Sequence, residues 1–203
     1  PGGCGVVCVT PTPESPSPTP TFSPTPSPSS TPLPPTITPT PTGPSLPAGE
    51  LLLNGGFEAE EGWTFGDTPV RGGYDTSIAR SGTRSGRLGI VNPPDRYSFT
   101  SAWQKAVIPA DAKQVTLTTH IFPASQDQPG RDAQNILILN QGFRIIRRLA
   151  SGVSNSQTWE ARSYDLTDLR GQTIYIYFGV FNNGSGNKPT AMFVDDVSLS
   201  YTR

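Results

Sequence analysis

Residues 173–181 read Thr-Ile-Tyr-Ile-Tyr-Phe-Gly-Val-Phe and alternate in character from one position to the next. One phase, predicted to face the core, carries Ile174, Ile176, Phe178 and Val180. The other phase carries Tyr175, Tyr177 and Phe181. Because successive side chains of a β-strand point to opposite faces, this alternation predicts a strand with a buried apolar face and an aromatic outer face.

Short runs rich in Val, Ile, Thr, Tyr and Phe continue from residue 50 to residue 203, and Gly, Asn, Asp and Pro separate them. No stretch has the apolar stripe of a helix. The predicted strands are 51–54, 62–66, 86–91, 99–108, 114–122, 134–140, 143–149, 158–164, 173–181 and 190–201. Many short strands without a long helix predict an all-β fold, a two-sheet antiparallel jelly-roll sandwich. We expect Trp63 and Trp159 in its core and His120 on its surface.

The composition changes sharply near residue 48, which divides the chain into segments 1–8, 9–47 and 48–203. Segment 9–47 consists largely of Pro, Thr and Ser. Proline fixes φ and holds the preceding residue extended, so this segment is predicted to be a polyproline II stalk. Such tracts are typical of O-glycosylated stalks, which indicates a secreted, extracellular protein at a cell surface with O-linked glycans on the stalk.

Cys4 and Cys8 are the only cysteines, and both precede the stalk. In an oxidising compartment they are disulfide candidates, either with each other in a small ring or with another chain. The chain begins at Pro1 rather than Met. We expect either that a leader has been removed or that the chain is a fragment of a longer protein.

Charge and motifs argue against several classes of function. The formal net charge is −1 and the basic residues are scattered, so no nucleic-acid partner is expected. No apolar run is long enough for a membrane span. His120 is the only histidine, and no nucleophile-elbow, Walker or dinucleotide-binding motif occurs. We therefore expect a protein that is not an enzyme.

Four segments resemble the galactose-binding-like jelly rolls, a superfamily that includes many carbohydrate-binding modules of secreted bacterial enzymes. The segments are Leu53 to Glu58 followed by Gly62-Trp63, Ala79 to Leu88, Tyr164 to Gln172, and Phe193 to Leu199. The resemblance spans nearly all of residues 50–203. It implies the jelly-roll fold with the first and last strands side by side, and it leaves function open because this fold carries several functions.

The resemblance also implies a structural calcium ion. Its acidic ligands would be Glu58 and Asp195, joined by backbone carbonyls of the turn from Arg80 to Ser85. Asp195 is in phase with Phe193, Val197 and Leu199, which are predicted to face the core, and a buried carboxylate requires a cation or several donors. The alternative is that Asp195 caps a turn by accepting backbone N–H groups.

The aromatic phase of strand 173–181 is the candidate ligand or interface surface. Its residues are Tyr175, Tyr177 and Phe181, and its expected neighbours are Tyr97, Trp103 and Phe122. Sugar stacking, a protein–protein interface and ordinary cross-strand packing all use such residues. Strand 134–140 is apolar on both faces and needs a second cover, which a loop, the stalk or a neighbouring subunit would provide.

These observations support two functions. The first is a structural or adhesive surface protein, a homo-polymer that assembles into a fibre or surface layer through its stalk and sandwich. The alternative is a stalk-tethered carbohydrate-binding module whose partner is a polysaccharide. We expect the first because the doubly apolar strand and the two cysteines beyond the stalk both suit contacts between subunits.

Overall fold

The computed structural model of the chain describes residues 49–203. The stalk and the disulfide candidates Cys4 and Cys8 lie outside the described residues. The described residues form eleven strands and one 3-10 turn at Thr167–Leu169. The strands are β1 (Gly49–Glu50), β2 (Thr64–Phe65), β3 (Gly73–Asp75), β4 (Ser85–Gly89), β5 (Tyr97–Val107), β6 (Gln114–Ser125), β7 (Ala133–Asn140), β8 (Ile145–Gly152), β9 (Glu160–Asp165), β10 (Thr173–Asn183) and β11 (Thr190–Thr202).

The strands form two antiparallel sheets. The six-stranded sheet has the order β3-β4-β11-β6-β9, and β1 pairs with the carboxyl-terminal part of β11. The five-stranded sheet has the order β2-β5-β10-β7-β8. The predicted all-β sandwich is thus confirmed, and Gly49 opposite Tyr201 places the first strand beside the last. Within residues 49–203, no helix has the length and apolar character needed to cross a membrane.

The core lies between the two sheets, and β10 contributes to it as its alternation predicts. Ile174, Ile176 and Phe178 are fully buried, and Val180 is nearly so. Trp63 is also buried, with its ring stacked 4.9 Å from that of Phe57 and tilted at 5.8 Å against Phe178. Each such side chain stabilises the fold by about 1.5–3 kcal/mol relative to its exposed state.

The predicted first strand, 51–54, is wrong. The strand ends at Glu50, whose carboxylate accepts hydrogen bonds from the amides of Leu51 and Leu52 at 2.9 Å. Asn54 then adopts φ 50°, outside the extended region. The short strand β3 was not predicted, because three residues are too few to show an alternation.

The prediction that Asp195 faces the core between the sheets is wrong, because β11 contains a β-bulge after this residue. Asp195 pairs with His120 and Ser198 with Thr118, so two residues of β11 oppose one residue of β6 between these pairs. A bulge of this kind reverses the phase of the side chains beyond it. Asp195 therefore lies on the outer face of the six-stranded sheet, whereas Val197 and Leu199 belong to the core.

Three other side chains differ from expectation. Trp159 is half-buried and packs edge-on against Phe122 at 5.7 Å, on the outer face of the six-stranded sheet rather than in the core. Phe122 lies in β6 and so belongs to a different sheet from the aromatic phase of β10. His120 is half-buried rather than exposed, and burial together with the nearby charge of Arg80 lowers the pKa of its imidazole.

Candidate functional site

The outer face of the five-stranded sheet carries two stacked aromatic pairs. In the register of β5 and β10, Phe181 lies opposite Phe99 and Tyr177 lies opposite Trp103. The rings of Phe99 and Phe181 are 4.7 Å apart with an interplanar angle of 29°. The rings of Trp103 and Tyr177 are 6.2 Å apart with an interplanar angle of 14°. The two pairs therefore form two aromatic patches at two levels along the same two strands.

Further aromatic rings extend each pair. Tyr97 packs edge-on against Phe99 at 5.8 Å and against Phe181 at 5.5 Å. Phe143 packs edge-on against Trp103 at 5.3 Å and against Tyr175 at 4.8 Å. The predicted surface residues are thus brought together with two of their three predicted neighbours. The full set on this face is Tyr97, Phe99, Trp103, Phe143, Tyr175, Tyr177 and Phe181.

A row of small and polar residues separates the two pairs. Gly179 lies opposite Ser101 on one side and Asn135 on the other. A β-carbon on Gly179 would lie 2.8 Å from Cε1 of Tyr177, so this position accepts only glycine unless the tyrosine ring moves. Since Gly179 lies between Tyr177 and Phe181, the tyrosine ring leans toward the Phe99–Phe181 pair. Asn135 accepts a hydrogen bond from the Ser151 hydroxyl at 2.8 Å, which orients its amide.

Part of this face forms a groove of about 350 Å³, and Trp103 lies beside it rather than in its lining. The residues of this face that line it are Phe99, Asn135, Phe143, Tyr177, Gly179 and Phe181. Its walls are mainly apolar, and the polar groups on its lining include those of Asn135 and Arg148. Small-molecule sites combine apolar and aromatic walls with a few placed polar groups in the same way, at roughly 300–1,000 Å³. The groove therefore has the size and chemistry of a ligand site.

The chain itself supplies the second cover that strand 134–140 requires. On the outer face of β7, Leu137 is 6% exposed and Leu139 is 4% exposed. Tyr177 and Tyr175 are their register partners on β10, and Phe143 from the turn before β8 lines the same groove. The second cover was expected to be a loop, the stalk or a neighbouring subunit. In the described residues, the turn that carries Phe143 and the tyrosines of β10 provide it. The buried leucines no longer indicate a contact with a second subunit.

Glu58 and Asp195 meet opposite ends of one turn. The carboxylate of Asp195 is fully buried and accepts hydrogen bonds from the amides of Arg80 at 2.8 Å and Ser81 at 3.2 Å. The carboxylate of Glu58 accepts from the amides of Thr83 and Arg84, both at 2.9 Å. The amide of Thr83 is the main cause that lowers the pKa of Glu58, whereas burial raises the pKa of Asp195 despite its amide donors.

This geometry is that of a turn capped by carboxylates. The turn directs amide N–H groups, rather than carbonyl oxygens, at Glu58 and Asp195, and these donors occupy oxygens that a cation would need. No group of three or more His, Cys, Asp or Glu side chains within residues 49–203 forms a ready cluster for a metal. As arranged, the residues do not fit a calcium site. Calcium at Glu58 and Asp195 stays a prediction.

Sequence reasoning missed Phe99, Phe143 and Asn135. Phe99 was identifiable, because it shares the phase of Trp103 along the predicted strand 99–108. Asn135 lies in a predicted strand, but nothing in the sequence places it beside Gly179. Phe143 has φ 60° in the turn between β7 and β8, and its contacts depend on how that turn folds back over the sheet.

No protein-family model matches the chain, and no curated protein matches it either. The solved structure of TmCBM61 in complex with β-1,4-galactotriose is similar, with 15% identity, a TM-score of 0.55, and coverage of 74% of this chain and 97% of that chain. The CBM22-1 xylan-binding domain from Paenibacillus barcinonensis Xyn10C also matches, with 15% identity, a TM-score of 0.49, and coverage of 78% and 99%. The second score is too low to add to the argument. The first likeness shows the fold: residues 49–203 form a jelly-roll β-sandwich like that of a carbohydrate-binding module.

Proposed function

We propose that the chain is a non-catalytic extracellular module that binds a polysaccharide in the groove on its five-stranded sheet and is presented by its stalk. The observation that carries the proposal is the pair of aromatic platforms, Phe99–Phe181 and Trp103–Tyr177, on either side of Gly179. The likeness to TmCBM61, whose structure holds β-1,4-galactotriose, supports the same class of ligand.

The groove suits the chemistry of a sugar chain. A pyranose ring has apolar C–H faces and a rim of hydroxyl groups, so it needs flat apolar platforms together with polar groups beside them. The aromatic pairs supply the platforms, and burying apolar area against them is favourable. Asn135 and Arg148 on the groove lining supply hydrogen-bond partners for hydroxyls.

The site also stands on a rigid part of the fold. The central strand β10 pairs with β5 over eleven residues and with β7 over eight. Side chains fixed by such pairing lose little freedom when a ligand binds, which favours affinity. The sheet therefore preorganises the two aromatic pairs for ligand binding.

Affinity electrophoresis against a panel of soluble polysaccharides tests the proposal, with β-1,4-galactan as the first probe. We expect the protein to be retarded by at least one polysaccharide, and Tyr177→Ala to abolish or greatly reduce that retardation. Val107→Ala is the matched control, because Val107 lies on the same face of β5 and is not among the groove residues. Free migration of the wild-type protein in every polysaccharide would contradict the proposal.

Self-assembly into a fibre becomes the less favoured hypothesis. Its argument from strand 134–140 fails because Leu137 and Leu139 are covered within the chain. Its remaining support is the stalk and the cysteines, which lie outside the described residues. Sedimentation of the full-length protein at increasing concentration tests it directly. Growing assemblies that disappear on deletion of residues 1–47 would restore it as the main function.

A further inference from the structure

Three aspartates that belong to neither the groove nor the capped turn meet at one end of the sandwich. Asp95 lies in the loop between β4 and β5, and Asp127 and Asp132 lie in the loop between β6 and β7. The loop between β10 and β11 joins them. The amide of Asp95 donates to Oδ1 of Asn187 at 3.1 Å, and the amide of Asn183 donates to Oδ1 of Asp132 at 2.8 Å. Three separate loops therefore converge on these carboxylates.

Five of the six carboxylate oxygens are buried without a hydrogen-bond partner. Both oxygens of Asp95, both oxygens of Asp127 and Oδ2 of Asp132 are shielded from solvent and make no hydrogen bond. Asp132 is the most buried of the three residues, with only 3% of its surface exposed. Buried polar groups are normally hydrogen-bonded, and a buried carboxylate without a partner is costly. These five oxygens have no hydrogen-bond donor among the described residues, and a cation would stabilise them.

No described basic side chain provides that charge. The seven ion pairs within residues 49–203 all use other acidic residues. The negative charges of Asp132 and Asp127 act on the Asp95 carboxylate. The amides of Arg96 and Gly184 lie nearby, but neither completes a hydrogen bond with that carboxylate. The three carboxylates thus repel one another in the absence of a cation.

We propose that Asp95, Asp127 and Asp132 bind a calcium ion that ties together the two loops that carry them. The ligand set offers oxygen only, which suits hard cations rather than zinc or copper. Calcium accepts six to eight oxygens in irregular geometry, whereas magnesium demands a near-ideal octahedron. Within residues 49–203 the three side chains do not form a ready cluster, so the proposal requires them to move toward the ion.

The proposed ion lies next to the end of the groove. Tyr97 follows Asp95 by two residues, and Ala133, which follows Asp132, is the register partner of Phe181. Fixing these loops would therefore steady the Tyr97, Phe99 and Phe181 rings. The calcium site itself does not depend on the polysaccharide proposal, because it rests only on the unpartnered carboxylates.

Calorimetric titration of the calcium-free full-length protein with calcium chloride, together with thermal melts, tests the proposal. We expect the wild-type protein to bind calcium, and its Tm to rise by about 5–10 °C at a hundredfold excess over Kd. Asp132→Asn should weaken binding at least tenfold, because asparagine keeps an acceptor for the Asn183 amide but removes the charge. Asp195→Asn and the exposed Asp67→Asn are matched controls and should bind calcium as the wild-type protein does.

Thermal melts in chelator test independently whether each variant is more or less stable than the wild-type protein. Without calcium, Asp132→Asn relieves the repulsion, so this variant should melt above the wild-type protein in chelator and below it in calcium. Asp127→Asn should behave in the same way, which keeps the test valid if Asp132→Asn does not fold. Either of two results would overturn the proposal: a wild-type protein that binds no calcium, or calcium binding that survives in both variants.

Discussion

Replacing Phe99 by alanine removes one ring of the Phe99–Phe181 pair with little disturbance to the core. Complete burial of a phenylalanine is worth ~1.5–3 kcal/mol. Phe99 is 53% exposed, so roughly half of this free energy is gained only when a bound ligand covers the ring. Its loss should therefore reduce binding by about 0.8–1.6 kcal/mol, which is about four- to fifteenfold in Kd. The buried half packs against Phe181 and Tyr97, and losing it should lower the Tm by about 2–6 °C.

The assay is calorimetric titration with whichever polysaccharide retards the wild-type protein, performed on Phe99→Ala and Val107→Ala in parallel. Val107 is 60% exposed on the same face of the same strand, but it lies opposite Thr173 at the far end from the groove. Its replacement should leave Kd unchanged within about twofold. Equal weakening by both variants, or a Phe99→Ala variant that melts earlier yet binds normally, would refute the reasoning.

Four further predictions concern the groove, the capped turn and the stalk. Gly179→Ala places a β-carbon 2.8 Å from the Tyr177 ring, so we expect weaker polysaccharide binding and a Tm lowered by a few degrees; unchanged titrations and melts would contradict this. The pKa of Glu58 is lowered in the folded protein, so its contribution to stability is present above the unfolded value of 4.5 and is lost as the pH falls through the lower folded value. Glu58→Gln should accordingly flatten the acid limb of Tm against pH, and an unaltered limb would count against the capping role. If calcium also binds beside Glu58, chelator should still lower the Tm of Asp132→Asn but not that of the double variant Asp132→Asn with Asp195→Asn; a melt of Asp132→Asn that is indifferent to chelator excludes this second site. The serines and threonines of the stalk at 9–47 should carry O-linked glycans, so residues 1–203 secreted from a glycosylating host should have an intact mass above 21.6 kDa, and a bare-chain mass would disprove this.

Much of the aromatic site was predictable, because its strands alternate without interruption. The phase of Tyr175, Tyr177 and Phe181 follows from their spacing, and the structure places all three on one outer face. The same reasoning failed for Asp195 because one inserted residue reversed the phase of β11. A bulge leaves no pattern in residue types, since it depends on pairing with β6 rather than on β11 alone.

Local periodicity in the sequence was sufficient for the all-β class, the long strands and the two-faced character of β10, because each depends on neighbours within one strand. Pairing between strands distant in the chain was decided only by the tertiary structure. That pairing sets Phe99 opposite Phe181, brings Asn135 beside Gly179, and gathers Asp95, Asp127 and Asp132 from two loops. The physical reason is that burial and charge act between side chains that are close in space, and closeness in space is a property of register and loop path rather than of sequence order.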